Sequence, residues 1–175
     1  MRKKLATVWL DGCSGCHMSL LDLDERLLEL AEQFDLVYSP IVDNTIFPQD
    51  VDISLVEGSV SSDADEHKIR MVRERTDVLV SLGDCAVTGN VPAMRNPFTV
   101  DSILQRVFDD TPATRPELFD GLPQLLPRVR PIHEVVKVDV FVPGCPPSAD
   151  TIYTLLRELL AGNSVDVARL TRFGA

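Results

Sequence analysis

No apolar run in this 175-residue chain approaches the ~18 residues that a membrane-spanning helix needs, so no direct membrane anchor is expected. Basic residues are also scarce. Lys and Arg number 17 against 27 Asp and Glu, a net charge of −10, and no basic stripe compensates locally. That balance repels a phosphate backbone and argues against nucleic acid as a partner. The acidic excess reads instead as a solubilising surface. A secretory signal is missing too. Met1-Arg2-Lys3-Lys4 is charged enough to begin one, but the apolar stretch Leu5 to Leu10 is too short. Cys13 and Cys16 then fall where a cleavage site would have to be, and no consecutive Arg pair precedes them. The expected location is cytoplasmic, where four cysteines are metal ligands or redox groups more often than disulfides. Internal repeats are absent. What remains is globular: 45% apolar and 25% charged residues. The length suits a single domain over 1–175.

Strand and helix signals alternate along the chain. Leu5 to Leu10 reads as a buried strand. Ser19 to Phe34 reads as a helix with Leu20, Leu23, Leu27, Leu30, Ala31 and Phe34 on its apolar face, and Ser19 with Asp22 as its cap. Short strands follow at Leu36 to Ser39, Ile53 to Val56 and Val78 to Leu82, with a polar helix from Ser62 to Arg75. A fifth strand is expected over Val135 to Val142 and a last helix from Ser148 to Leu160, stopped by Gly162-Asn163. This alternation predicts an α/β fold: a flavodoxin-like, doubly wound parallel sheet of about five strands with helices on both faces. The segment Asp109 to His133 holds five of the twelve prolines and little periodicity, and is expected to be a proline-rich surface loop.

The cysteines mark the chemistry. Cys13 and Cys16 follow the first strand, Cys85 the fourth and Cys145 the fifth. A parallel sheet puts all of those strand ends on one edge, the edge where open α/β sheets place ligands. Side chains 69 and 60 residues apart in sequence should therefore meet. Four thiolates at one point match the ligand count of an iron–sulfur cluster. Gly12 and Gly15 let the backbone bend closely around a bulky centre, and Gly144 with Pro146-Pro147 holds Cys145 in a rigid turn. Prolines lack N–H donors, so Cys145 should receive fewer hydrogen bonds than Cys13 or Cys16. Three alternatives compete. A zinc-stapled binding module more often draws on two close cysteine pairs. A thiol–disulfide exchanger fits Cys13 and Cys16 but leaves Cys85 and Cys145 unexplained. Plain burial does not suit cysteines next to glycine and proline at strand ends. Spacing favours the cluster and leaves zinc and thiol exchange open.

Four motifs then carry a family resemblance. Leu10-Asp11-Gly12-Cys13-Ser14-Gly15-Cys16-His17-Met18-Ser19 resembles the opening of nickel–iron hydrogenase small subunits. Val56-Glu57-Gly58-Ser59-Val60, Gly83-Asp84-Cys85-Ala86-Val87-Thr88-Gly89-Asn90-Val91-Pro92-Ala93 and Val142-Pro143-Gly144-Cys145-Pro146-Pro147-Ser148 resemble that family's later motifs, in the family's order. The resemblance implies that Cys13, Cys16, Cys85 and Cys145 bind one [4Fe-4S] cluster and that Glu57 lies beside it. It implies a nickel–iron centre on a separate large subunit, because that centre needs two CxxC pairs and this chain has one. With no cysteine after Cys145, the chain resembles the short, single-cluster type of cytoplasmic NAD-reducing hydrogenases. Diaphorase subunits carrying flavin and further clusters are then implied partners. The related complex I subunit has an adjacent Cys-Cys pair, unlike Cys13 and Cys16. Asp84 departs from the small or hydroxyl residue of many relatives.

The remaining expectations are modest. FMN in this chain is disfavoured, because cysteines occupy the loop that would grip its phosphate. His17 is expected to be an ordinary polar residue at a helix start, His67 and His133 to lie on the surface, and Trp9 to pack in the core or at an interface.

Overall fold

The structure, a computed structural model, describes residues 2–109 and 121–171. Five parallel strands form the central sheet: β1 (Lys3–Trp9), β2 (Phe34–Tyr38), β3 (Val51–Glu57), β5 (Thr76–Leu82) and β7 (Val140–Val142). Their order across the sheet is β2-β1-β3-β5-β7. With the two remaining strands set aside, this is the 2-1-3-4-5 order of flavodoxin-like sheets. The expected fold class is the one found.

Seven helices flank the strands among the described residues: α1 (Gly15–Leu21), α2 (Arg26–Ala31), α3 (Asp63–Glu74), α4 (Asp84–Thr88), α5 (Asn90–Ala93), α6 (Val100–Leu104) and α7 (Ala149–Leu160). Helices α1, α2 and α7 cover one face, where Leu20, Leu23, Leu30, Ile152, Leu155 and Leu156 meet Leu5, Ile53, Leu55, Val80 and Leu82. Ile69 and Val72 of α3, with Ala86 of α4, cover Ala6, Val8, Val56 and Leu79 on the other. Burying a Leu or Ile fully contributes about 1.5–3 kcal/mol, so both helical layers are held chiefly by these stripes.

The well-capped helices form where their sequences begin and end them. Ser62 accepts from the Asp65 N–H while the Asp65 carboxylate accepts from the Ser62 N–H, a reciprocal cap for α3. Ser148 likewise accepts from the Thr151 N–H at the start of α7.

Other expectations are corrected. The single helix expected from Ser19 to Phe34 is two short helices, broken at residues 22–25, where Asp24 has φ +50°. Phe34 opens β2 rather than ending a helix. The apolar stripe continues through the break because Leu23 stays buried, and this is why periodicity alone does not reveal it. Ser19 is no cap: its hydroxyl is buried and donates to the Pro147 carbonyl. The proline-rich segment is not all loop. Leu125–Arg130 forms β6, which pairs antiparallel with β4 (Val60–Ser62). Residues 110–120 of that segment lie outside the described residues.

The fifth sheet strand is also shorter than expected. Ile132–Glu134 is a turn of 3-10 helix, and only Val140–Val142 pairs with β5. Asp139 explains the late start. Its carboxylate accepts the Leu79 N–H (2.9 Å), the position a preceding strand carbonyl would fill, and it is paired with Arg73. Burial alone would raise the Asp139 carboxyl. The Leu79 N–H and then the Arg73 guanidinium outweigh it and hold the group below its ordinary value. Its folded pKa is depressed, so its stabilisation is present above the ordinary carboxylate range and fades as pH falls through that range. Asp139→Ala is expected to destabilise the protein by about 1–3 kcal/mol near neutral pH. Urea unfolding of both proteins between pH 7 and 3 should show the gap narrowing on acidification; a constant gap contradicts the assignment.

Candidate metal centre at the sheet edge

Parallel register brings the site together. Trp9 pairs with Glu57, Glu57 with Leu82, and Leu82 with Val142, so four strand ends stand in one row at the carboxyl edge. The loops that leave this row carry all four cysteines. Cys13, Cys85 and Cys145 line one cavity of about 280 Å³, together with Gly12, Val91 and Pro92. Cys16 sits behind, less exposed than Cys13 and Cys145, and close enough to Cys13 and Cys85 for their charges to act on it. Among the described residues no three His, Cys, Asp or Glu side chains are grouped tightly enough for a single metal ion. A second cavity, of about 540 Å³, is lined by Cys145 as well, with Pro146, Ser148 and Arg169.

Backbone contacts fix each loop. After β1 the chain stays stitched to the turn beyond β3: Asp11 N–H donates to Ser59 O and Ser59 N–H to Asp11 O, at 3.1 and 2.7 Å. The Cys13 loop is thereby held against the segment that bears Glu57. The Cys85 and Cys145 loops are joined by Gly83 N–H to Val142 O and Asp84 N–H to Gly144 O, both 2.8 Å. The Asp84 carboxylate completes that tie by accepting the Gly144 N–H at 2.7 Å.

The three glycines singled out from sequence sit where side chains would crowd. Added Cβ atoms would lie 3.2 Å from Gly58 at Gly12, 3.3 Å from the Cys13 sulfur at Gly15 and 2.7 Å from Pro147 at Gly144. Gly83 is the tightest case, and sequence reasoning passed over it. It has φ +83° and ψ 162°, a conformation almost confined to glycine, and its Cβ would lie 2.2 Å from the Cys16 sulfur.

His17 differs from the ordinary polar residue expected at a helix start, and Glu57 is buried beside it. Glu57 is 2% exposed and His17 7%, so neither faces water. The Glu57 carboxylate accepts the His17 backbone N–H at 2.8 Å, and His17 Nδ1 stands 3.2 Å from its other oxygen. On the far side of the ring, Nε2 lies 2.9 Å from Thr7 Oγ1, whose proton goes to Ser39 Oγ. This buried string is a feature that the sequence does not signal, since Thr7 and Ser39 lie in separate parts of the chain. His67 and His133 are exposed. Trp9 is 45% exposed, so it is not a core residue.

Two of the thiols, Cys16 and Cys85, are not poised as nucleophiles. Burial pushes the Cys16 thiol far up, and the Glu57 charge and hydrogen bond push it further. Burial likewise raises Cys85, although the Val91 N–H opposes it. Reactive cysteines need the opposite shift, toward the thiolate. Positive charge at the cavity, as from bound metal, would reverse the balance. The donor set, three soft sulfurs lining one hollow with a fourth, Cys16, behind them, fits an iron–sulfur group. Cys145, expected to be poorly served, does receive a hydrogen bond. The donor is the side chain of Asn90, 3.5 Å from its sulfur, rather than the local backbone.

Known proteins share this arrangement of strands and helices. The model of the NADH ubiquinone oxidoreductase 20 kDa subunit family matches residues 13–159. The chain belongs to that family. It is 41% identical over 170 residues to NAD-reducing hydrogenase HoxS subunit delta of Cupriavidus necator, covering 94% of this chain and 81% of that one. It is 37% identical over 162 residues to a subunit of an F420-non-reducing hydrogenase of Methanocaldococcus jannaschii, covering 91% of this chain but 56% of the relative. A chain in the crystal structure of an NAD+-reducing [NiFe]-hydrogenase in the H2-reduced state superposes with a TM-score of 0.92 at 39% identity, covering 99% of both. A [NiFeSe]-hydrogenase chain of Dm. baculatum, at 18% identity and TM-score 0.62, shares the fold over 92% of this chain and 63% of its own. The resemblance to hydrogenase small subunits read from the four motifs is borne out.

Gly83→Ala tests the geometry of the centre. The added methyl displaces the Cys16 sulfur, and the backbone conformation costs about 1–3 kcal/mol for a non-glycine residue. Purified variant should keep the far-UV circular dichroism of the wild type and lose most of its iron; full iron content would refute the packing argument.

Proposed function

We propose that the chain is the electron-transferring small subunit of an NAD-reducing nickel–iron hydrogenase, holding one [4Fe-4S] cluster with Cys13, Cys16, Cys85 and Cys145. The observation that carries this reading is the convergence of three cysteine-bearing loops on one hollow at the carboxyl edge of the sheet. Such a cluster supplies one-electron transfer when bound.

The chain's own residues do the rest. The register of β1, β3, β5 and β7 sets the spacing of the loops. Gly83 leaves the room in which the Cys16 sulfur sits. Asp84 fastens the Cys145 loop to the Cys85 loop. Glu57 and His17 place a buried, hydrogen-bonded carboxylate beside Cys16, where its charge favours the less negative state of anything bound there.

Partners follow from the same surface. Trp9, Met18 and Val91 are 45%, 58% and 60% exposed on or next to the cysteine-bearing segments. Apolar groups at the rim of a polar site suit burial by another chain, here the large subunit with the nickel–iron centre. Diaphorase subunits with flavin and further clusters complete the route to NAD. No helix among the described residues is long and apolar enough to cross a membrane.

The zinc-stapled module and a complex I-like role remain the competing readings. The thiol-exchange reading is weakened by the raised thiols of Cys16 and Cys85. Isolation of the native complex through a tag on this chain, with iron, zinc, nickel and flavin analysis, separates them. Cys85→Ser is expected to remove most of the iron bound to this chain and to reduce hydrogen-dependent NAD reduction strongly. Retention of both defeats the ligand assignment, and zinc in place of iron supports the binding module.

A further inference from the structure

The segment after β5 reaches Cys145 twice. Asp84 grips the residue before it, with its backbone N–H on Gly144 O and its carboxylate on Gly144 N–H. Six residues further on, Asn90 Nδ2 stands 3.5 Å from the Cys145 sulfur. Asn90 opens α5 with φ +28°, directly after Gly89 at φ +86°. Asparagine, aspartate and glycine tolerate positive φ best, so the backbone here restricts which residue can occupy the position.

The chemistry of the contact has one sense. A thiolate accepts hydrogen bonds and cannot donate, so the amide must present its N–H. Pro146 and Pro147 have no N–H to offer the same sulfur. Within the same segment, the backbone N–H of Val91 donates to Cys85. One short segment, residues 84–91, thus supplies hydrogen bonds to two sulfurs, and for Cys145 a side chain provides what its proline-flanked loop lacks. Hydrogen bonds to ligand sulfur withdraw electron density and stabilise the more negative, reduced state.

We propose that Asn90 tunes the reduction potential of the group held at the four cysteines through its N–H···S bond to Cys145, with Asp84 as the positioning residue that keeps the sulfur in reach. The proposal rests on the iron–sulfur reading above. Its test uses the native complex isolated through this chain, as wild type, Asn90→Gly and Asn90→Asp. Both replacements accept the positive φ, so the fold of the loop is preserved. Iron and sulfide content is measured first, then the midpoint potential of this chain's signal by redox titration followed by electron paramagnetic resonance. Iron content is expected to be unchanged. The midpoint should fall in Asn90→Gly, where the donor is lost, and fall further in Asn90→Asp, where negative charge faces the sulfur. Three equal midpoints at equal iron content overturn the proposal. Loss of iron from both variants also overturns it, because the amide would then retain the loop rather than tune the group. A wild-type complex without iron in this chain defeats the cluster reading, and the proposal with it.

Discussion

The parallel pairing of β1, β3, β5 and β7 is the constraint on which the site depends. Because Trp9, Glu57, Leu82 and Val142 share one register line, every loop that leaves those strands starts from the same edge. A slip of one residue in any strand would exchange its two faces and move its loop by one step along the sheet. Both faces are buried under helices, so the apolar residues of each strand resist such a slip from both sides. The geometry of the cysteines is therefore a consequence of core packing far larger than any contact among the cysteines themselves.

Electrostatics at that edge is unusual for a protein interior. Two sulfurs with raised thiol pKa values and a carboxylate exposed by only 2% are brought together without a Lys or Arg beside them among the contacts described. Backbone and neutral donors meet the negative groups instead: the His17 N–H on Glu57, the Val91 N–H on Cys85, the Asn90 amide on Cys145 and the Gly144 N–H on Asp84. An assembly of acceptors met only in part by dipoles, with Glu57 Oε1 left without a hydrogen-bond partner, and short of formal positive charge, is suited to a group that brings its own cations. The same distribution accounts for the role of Asp84. Its carboxylate is engaged by backbone N–H, so it acts as a tie between two loops.

Much of this was legible in advance. Helix α3 has its cap in Ser62 and Asp65, and α7 has its cap in Ser148, so local chemistry alone sets where they begin. The five sheet strands are apolar enough to be found, although β7 is cut short because the Asp139 side chain takes the hydrogen bond of a strand residue. The pairing of β4 with β6 was not legible, because three residues and a proline-containing segment about sixty positions apart form it, and neither has a periodic signature. The break between α1 and α2 was hidden for a related reason: Leu23 keeps the apolar period intact across a turn.

The sequence by itself determined which thiols are present and where they sit: four cysteines, each next to a glycine- or proline-bearing strand end, in four motifs whose order identifies a family. Local rules suffice for that, because cysteine type, turn residues and strand period are properties of short windows. Only the tertiary structure decided who serves those sulfurs. Gly83 is fixed by the sulfur of a residue 67 positions earlier, His17 by Thr7 and Ser39 from separate stretches of chain, and Cys145 by an amide from another loop. Such pairings depend on where helices and loops come to rest after two buried sheet faces have closed, and no window of sequence contains that information.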